Sequence, residues 1–259
     1  MKKKPIYIGM GSQKGGVGKS TIAEIMCSIL HYTKGYNVLV IDCDDSQNSF
    51  TQLRRRDNLF IQQEEGIGLA LKTQFQSYKK KAYNIIPSHI DKAFASASEW
   101  SEKLNSDIVV FDLPGRLNSV DLLFFSLRMD YVISPIEPDI QSMTSSMLYL
   151  RTLKESCTKI KDDRVQIKEI FALWNKISRS ERRDTIENYT PLIKDLGVTL
   201  LDNVLYASKK FSLEVGEARN IKEVCRCTYL APTQLQMEGT GIFEVIDEIE
   251  RKIFQKSNT

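Results

Sequence analysis

This 259-residue chain has only two histidines and five cysteines, and they form no cluster. The cysteines are odd in number and scattered. Cys225 and Cys227 form the only close pair, with no second pair or histidine cluster to complete a zinc site. Free thiols in a reducing compartment are the expectation. No apolar run reaches the length of a membrane span. The run behind the basic start, Met1 to Lys4, stops at a glycine loop and is too short for a signal peptide. A cytoplasmic location is therefore expected. Low-complexity linkers and internal repeats are also missing, so one domain over 1–259 is expected, with ample length for a core. A net charge of +3 permits contact with nucleic acid but does not indicate it.

What is present centres on one run, Gln13-Lys14-Gly15-Gly16-Val17-Gly18-Lys19-Ser20-Thr21. An apolar stretch, Pro5 to Met10, precedes it and reads as a strand. Ile22 to Leu30 follows with apolar residues at helical spacing. Strand, glycine turn and helix are the setting of a phosphate-binding loop. Its glycines let the backbone turn N–H groups inward as an anion nest, and the helix N-terminus adds partial positive charge. Lys19 can reach phosphate oxygens and the Ser20 hydroxyl can ligate Mg²⁺. Two departures from the general G-x-x-x-x-G-K-[ST] pattern stand out. Gln13 replaces the first glycine, and a second lysine, Lys14, opens the loop.

Lys14-Gly-Gly-Val-Gly-Lys-Ser resembles the deviant Walker A motif of the ParA/MinD superfamily of P-loop ATPases. The resemblance implies that Lys14 crosses an ATP-bound dimer to touch the partner's phosphates. It also implies nucleotide contacts from Gly15, Gly16, Val17, Gly18, Lys19, Ser20 and Thr21, with ATP and Mg²⁺ as cofactors. Asn37 to Ile41 is a continuous apolar run, a strand covered on both faces. It ends in Asp42-Cys43-Asp44-Asp45, at the strand edge where ligands bind in open α/β sheets. This stretch resembles the family's D-x-D-P-Q segment, which implies Asp42 in the Mg²⁺ shell and Asp44 orienting the attacking water. Capping of a helix ahead of Ser49-Phe50 competes for these carboxylates. Cys43, between two ligand-facing residues, should point into the core. Asp107 to Phe111 closes on Asp112, a Walker B pattern in which the carboxylate holds Mg²⁺. Gly115 follows as a switch glycine for the γ-phosphate.

The rest alternates strand and helix. Helices are expected to about Tyr32, stopped by Gly35, then over Gly66–Lys81, Ser88–Asn105, Leu117–Leu127, Asp139 or Ser142 to Ile160, Ser178–Leu196 and Gly241–Gln255. Strands are expected over Ala82–Ser88, Asp130–Pro135, Val165–Leu173 and Val198–Leu205. Residues 46–105 read least clearly. Arg54-Arg55-Arg56 reads as a solvated helix face, and His89 as a surface or capping residue. The whole predicts an α/β fold, a mostly parallel twisted sheet with helices on both faces. Asn175, after the Val165 strand, could pair with the N6/N7 edge of adenine, or simply form a turn. The family resemblance favours the base contact.

For function, the resemblance implies a slow, partner-stimulated ATPase whose dimer binds DNA nonspecifically and serves partition or maintenance of a plasmid or conjugative element. Its expected partners are a second copy, DNA, and a ParB-like or transfer-machinery activator, with association to the nucleoid in the ATP state. Lys209, Lys210, Arg219, Lys222 and Arg226 are the DNA-contact candidates, with a plain solvated basic face as the competing reading. No helix-turn-helix precedes the first strand, so a small ParA without its own operator-binding domain is expected. The alternative is a MinD-like membrane-cycling ATPase. That class needs a basic amphipathic C-terminal helix, whereas Glu244, Asp247, Glu248 and Glu250 make this one acidic. Cluster-carrying relatives need paired cysteines after the Walker B strand, and none lies between Asp112 and Cys157. A kinase relative would carry a tyrosine-rich tail, and this tail has none.

Overall fold

The computed structural model describes residues 4–43, 49–63, 65–114, 119–178, 183–215 and 221–254. Seven strands form one sheet: β1 Ile6–Met10, β2 Val38–Asp42, β3 Asn84–Pro87, β4 Ile108–Asp112, β5 Tyr131–Ile136, β6 Glu169–Trp174 and β7 Thr199–Leu200. Their order is β3-β2-β4-β1-β5-β6-β7. The pairs β2–β3, β2–β4, β5–β6 and β6–β7 run parallel. The helices between the strands are α1 Lys19–Ser28, α2 Ser49–Gln63, α3 Glu65–Tyr78, α4 Ala93–Leu104, α5 Ser119–Ser126, α6 Ile140–Lys159 and α7 Arg183–Asp195, with α8 Ile242–Phe254 at the end. Every residue of β2, β4 and β5 is buried, as the unbroken apolar runs predict for strands covered on both sides. The α/β expectation is met. No helix among the described residues is long and apolar enough to cross a membrane.

The chain forms two compact units. The first comprises Met1–Ile8, Ser20–Pro114 and Lys209–Gln236. In it α1 buries Ile22, Ile25 and Met26, then widens into a π-helical turn over Ile29–Thr33. Gly35, with φ +84°, turns the chain where the sequence predicts a stop. The poorly readable stretch becomes α2 and α3. Ile67 of α3 packs with Val215, Val224 and Cys227, so its apolar cover comes from 140 and more positions along the chain. The arginine run is not a uniformly solvated face. Arg55 and Arg56 are exposed, but Arg54 turns inward between the rings of Tyr83 (5.0 Å) and Tyr229 (4.3 Å). Its guanidinium also donates to the Thr228 hydroxyl at 2.7 Å and the Tyr83 carbonyl at 2.9 Å. His89 is exposed and pairs with Asp91, as expected of a surface histidine.

The second unit comprises Gly9–Lys19, Gly115–Ser208 and Met237–Thr259. Helix α6 begins on Asp139, whose Oδ1 accepts from the Ser142 N–H at 2.9 Å. Of the two predicted starts, Asp139 is therefore the cap. Helix α8 buries Ile242, Val245, Ile246, Ile249 and Ile253, the stripe its sequence predicts. Its acidic residues do not all face outward. Glu248 is 1% exposed and accepts from the Asp202 N–H, the Asn203 N–H and Asn203 Nδ2, each at 2.9 Å. Those donors leave the sheet ladder, which is why the strand expected over 198–205 shrinks to Thr199–Leu200. The helix expected from Ser178 is first described at Arg183.

Candidate phosphate-loop site

The loop follows β1 directly. Gly11 donates its N–H to the Ile133 carbonyl at 2.9 Å. A Cβ at Gly11 would collide with the Tyr149 hydroxyl and Val132, so no larger residue fits this crossing. Gly16 and Gly18 have φ of +78° and +81°. Alternating left- and right-handed residues is the geometry that turns successive N–H groups to one side as an anion nest. Val17 between them is fully buried and anchors the turn.

The two loop lysines are held differently. Lys19, the first residue of α1, is 8% exposed and donates to the Lys14 carbonyl at 3.1 Å. Lys14 instead sends its ammonium away from the loop to Asp139, with Nζ–Oδ2 of 3.2 Å. That pair is exposed, with about a third of the Lys14 side chain and half of Asp139 in solvent. The Ser142 N–H and then the Lys14 ammonium hold the Asp139 carboxyl below the usual carboxylate range.

Two residues beyond β6 close on the same loop. Asn175, 4% exposed, donates Nδ2 to the Val17 carbonyl at 2.9 Å. Lys176 donates Nζ to the Gly16 carbonyl at 2.6 Å and lies 2.6 Å from Glu137 Oε1. One of the two Nδ2 N–H groups of Asn175 serves the loop, which leaves the other N–H and Oδ1 as the polar groups that could meet a base. Lys176 and Glu137 were not singled out by sequence. The signal was the lysine directly after the asparagine at a strand end.

In the first unit, the parallel register sets Asp42 of β2 opposite Asp112 of β4. Asp112 is 1% exposed, and its Oδ1 accepts from the Ser20 hydroxyl at 2.9 Å. A hydroxyl beside a carboxylate is the hard oxygen set that suits Mg²⁺. Thr21 lies half-buried in the same first turn of α1. Asp42 is fully buried, and its Oδ2 accepts from the Thr51 N–H (2.9 Å) and the Thr51 hydroxyl (2.6 Å). Asp42 therefore satisfies one N–H in the first turn of α2. Cys43 is buried, as alternation predicts. Asp44, Asp45, Gly115 and Arg219 lie outside the described residues.

Of the basic candidates, Lys209 and Lys222 are exposed and Lys210 is half-buried. Arg226 is not a surface cation. Its side chain is 14% exposed, donates Nε to Glu24 Oε2 at 2.9 Å, and pairs through Nη1 with Glu214 Oε1 at 2.9 Å. Arg56 completes the row on Glu214 Oε2 at 2.7 Å. Burial pushes the Glu24 carboxyl up to about 8, against the pull of the Arg226 guanidinium.

Residues 8–221 match the CobQ/CobB/MinD/ParA nucleotide binding domain family. The chain is 25% identical to the virulence plasmid ParA family protein pGP5-D of Chlamydia psittaci, over 94% of this chain and 93% of that one. Among solved structures it resembles the MinD cell division protein of Aquifex aeolicus, with 16% identity and a TM-score of 0.61 over 96% and 97% of the two chains. A plasmid partition protein of Borrelia burgdorferi bound to AMPPNP aligns with 21% identity and a TM-score of 0.57, over 98% and 100%. These two are likenesses of fold.

Proposed function

Because this chain belongs to the CobQ/CobB/MinD/ParA nucleotide-binding domain family, we propose that it is an ATPase switch of the ParA type, acting as one domain. Two copies close on a pair of ATP molecules, the dimer binds DNA without sequence preference, and hydrolysis, hastened by a ParB-like or transfer-machinery protein, takes it apart. The observation that carries the reading is the divergence of the two loop lysines. Lys19 is tucked against its own loop at the Lys14 carbonyl, whereas the Lys14 ammonium lies outside on Asp139. One lysine is suited to the nucleotide of its own chain, the other to a nucleotide brought by a second copy.

The roles follow. The N–H groups of Gly15 to Thr21 and the Lys19 ammonium take the phosphates. Ser20 and Asp112 would hold Mg²⁺, which when bound would neutralise charge on the transferring phosphoryl group. Asp42, opposite Asp112 on the neighbouring strand, helps to organise the Mg²⁺ shell. Asp44 orients the attacking water, and Lys14 of each copy adds positive charge to the other's phosphates, as an arginine finger does. Gly115 reports the γ-phosphate, and Asn175 offers Oδ1 to the adenine amine. Lys209, Lys210, Lys222 and Arg219 are the proposed DNA contacts, and Arg226 is left out because it is committed to Glu24 and Glu214. The plasmid ParA protein of C. psittaci and the plasmid partition protein of B. burgdorferi support maintenance of a plasmid or mobile element as the cellular role, in the cytoplasm and on the nucleoid.

Sedimentation with ATP, ADP and no nucleotide tests the switch, with DNA binding measured across a salt series. ATP-specific dimerisation, DNA binding that needs ATP and weakens steeply with salt, and loss of both in Lys19→Ala are expected. A chain that stays monomeric with saturating ATP, while Lys14→Ala leaves turnover unchanged, defeats the reading.

A further inference from the structure

Three non-glycine residues among those described have a left-handed backbone: Lys79, Asn105 and Lys176. Lys79 and Asn105 each follow a helix, α3 and α4, where a left-handed residue closes the last turn. Lys176 follows a strand, where nothing in the backbone calls for φ of +55°. Such strain persists where the surroundings impose it, and it points to a functional constraint. The conformation lets consecutive side chains, Asn175 and Lys176, reach consecutive carbonyls of the loop, Val17 at 2.9 Å and Gly16 at 2.6 Å. The backbone on either side of Lys176 is pinned as well, by Asn175 N–H to the Ile136 carbonyl (2.8 Å) and Ile177 N–H to the Leu205 carbonyl (3.0 Å).

A trans peptide unit is planar, and its C=O and N–H point opposite ways. Holding the Gly16 carbonyl therefore aims the Val17 N–H in the reverse direction, and holding the Val17 carbonyl does the same for the Gly18 N–H. Lys19 acts likewise through the Lys14 carbonyl on the Gly15 N–H. Glu137 sits 2.6 Å from the Lys176 ammonium and offsets its charge, so the lysine orients without adding a free cation beside the phosphates.

We propose that Asn175 and Lys176 are positioning residues that clamp the Gly16 and Val17 carbonyls and so set the phosphate-facing N–H groups of the loop before nucleotide arrives. The proposal rests on the reading of this loop as a nucleotide site. Neither the Lys176 nor the Glu137 side chain needs to touch the ligand.

The test uses Lys176→Gly, Lys176→Met and Lys176→Arg in the full chain, with Mg-ATP and Mg-ADP affinities by calorimetry, kcat and KM, and thermal midpoints. Glycine adopts φ of +55° without strain, which offsets the lost Glu137 pair, so Lys176→Gly should melt within about 4 °C of the unaltered protein. It should nonetheless bind both nucleotides about tenfold more weakly, the size of one lost charge-assisted hydrogen bond. The loss should fall on KM, with kcat at saturation within about twofold. Lys176→Met should behave alike in binding, and Lys176→Arg should restore it. Unchanged affinities in both Lys176→Gly and Lys176→Met overturn the clamp while leaving the nucleotide site in place, and so does a loss seen only where the thermal midpoint falls. If the unaltered protein binds neither ATP nor ADP, the functional reading falls and the clamp falls with it.

Discussion

Asp139→Asn separates two tasks that one carboxylate performs. Asp139 caps α6 through the Ser142 N–H at 2.9 Å and holds the Lys14 ammonium at 3.2 Å. Asparagine caps a helix about as well as aspartate, so the first task survives and the second is lost. The fold should therefore keep its stability to within about 0.5 kcal/mol. The Lys14–Asp139 pair is exposed at both ends, and pairs of that kind contribute about 0.2–1 kcal/mol. If the ATP dimer must free Lys14 in each copy, the variant removes that cost twice. Dimerisation with ATP should strengthen by roughly 2- to 30-fold, since about 1.4 kcal/mol is a factor of ten. The gain should vanish in high salt, which screens the pair in the unaltered protein. Asp139→Ala is the control: it frees Lys14 too, but loses the cap at about 1 kcal/mol. Sedimentation equilibrium with a non-hydrolysed ATP analogue, beside chemical denaturation, reads both quantities. A weaker dimer in Asp139→Asn at unchanged stability would refute the argument, because Asp139 would then be helping Lys14 and not detaining it.

Other measurements bear on the remaining sites. The Glu24 carboxyl, raised to about 8 from 4.5 by burial, keeps its proton in the folded chain over a range where the unfolded chain has released it. The folded state then binds more protons at this site, so the contribution of Glu24 to stability should fall as pH rises from about 4.5 towards 8, by at most about 1.4 kcal/mol per unit. Glu24→Gln should flatten that slope in urea midpoints taken from pH 5 to 8, and an unaltered slope would assign it elsewhere. Glu248→Ala strands three donors around Asp202 and Asn203 and should cost about 3 kcal/mol by denaturation; a loss under about 1 kcal/mol would mean water replaces the carboxylate. Reversing Lys209, Lys210 and Lys222 to Glu should lower both DNA affinity and its salt slope without touching ATP affinity. The same change at Arg226 should instead unfold the Glu24–Glu214 row, seen as a lower thermal midpoint.

The turn geometry of the glycine loop was legible because such a turn is made from contiguous backbone. Glycine spacing, a preceding strand and a following helix are all written locally, and the structure supplies the left-handed Gly16 and Gly18 that the pattern implies. The strand-end aspartates were legible for the same reason, since an apolar run marks the strand and the first charge marks its edge. The apolar stripe of α8 likewise follows from period alone. Within residues 46–105 the elements α3, β3 and α4 were legible from period and punctuation, but the packing of α2 and α3 was not, because residues such as Val215, Val224 and Cys227 cover them from far along the chain.

By itself the sequence determined the fold class, the loop and which residues carry charge near it, since each depends on neighbours a few positions apart. Only the tertiary structure decided what those charges do. Lys14 meets a carboxylate 125 positions away, Val17 an amide 158 away, and Glu24 a guanidinium 202 away. Distances of that order along the chain leave no periodic trace. Whether Arg226 faces solvent or a buried glutamate, and which loop carbonyl Asn175 reaches, depends on which surfaces the folded chain brings together.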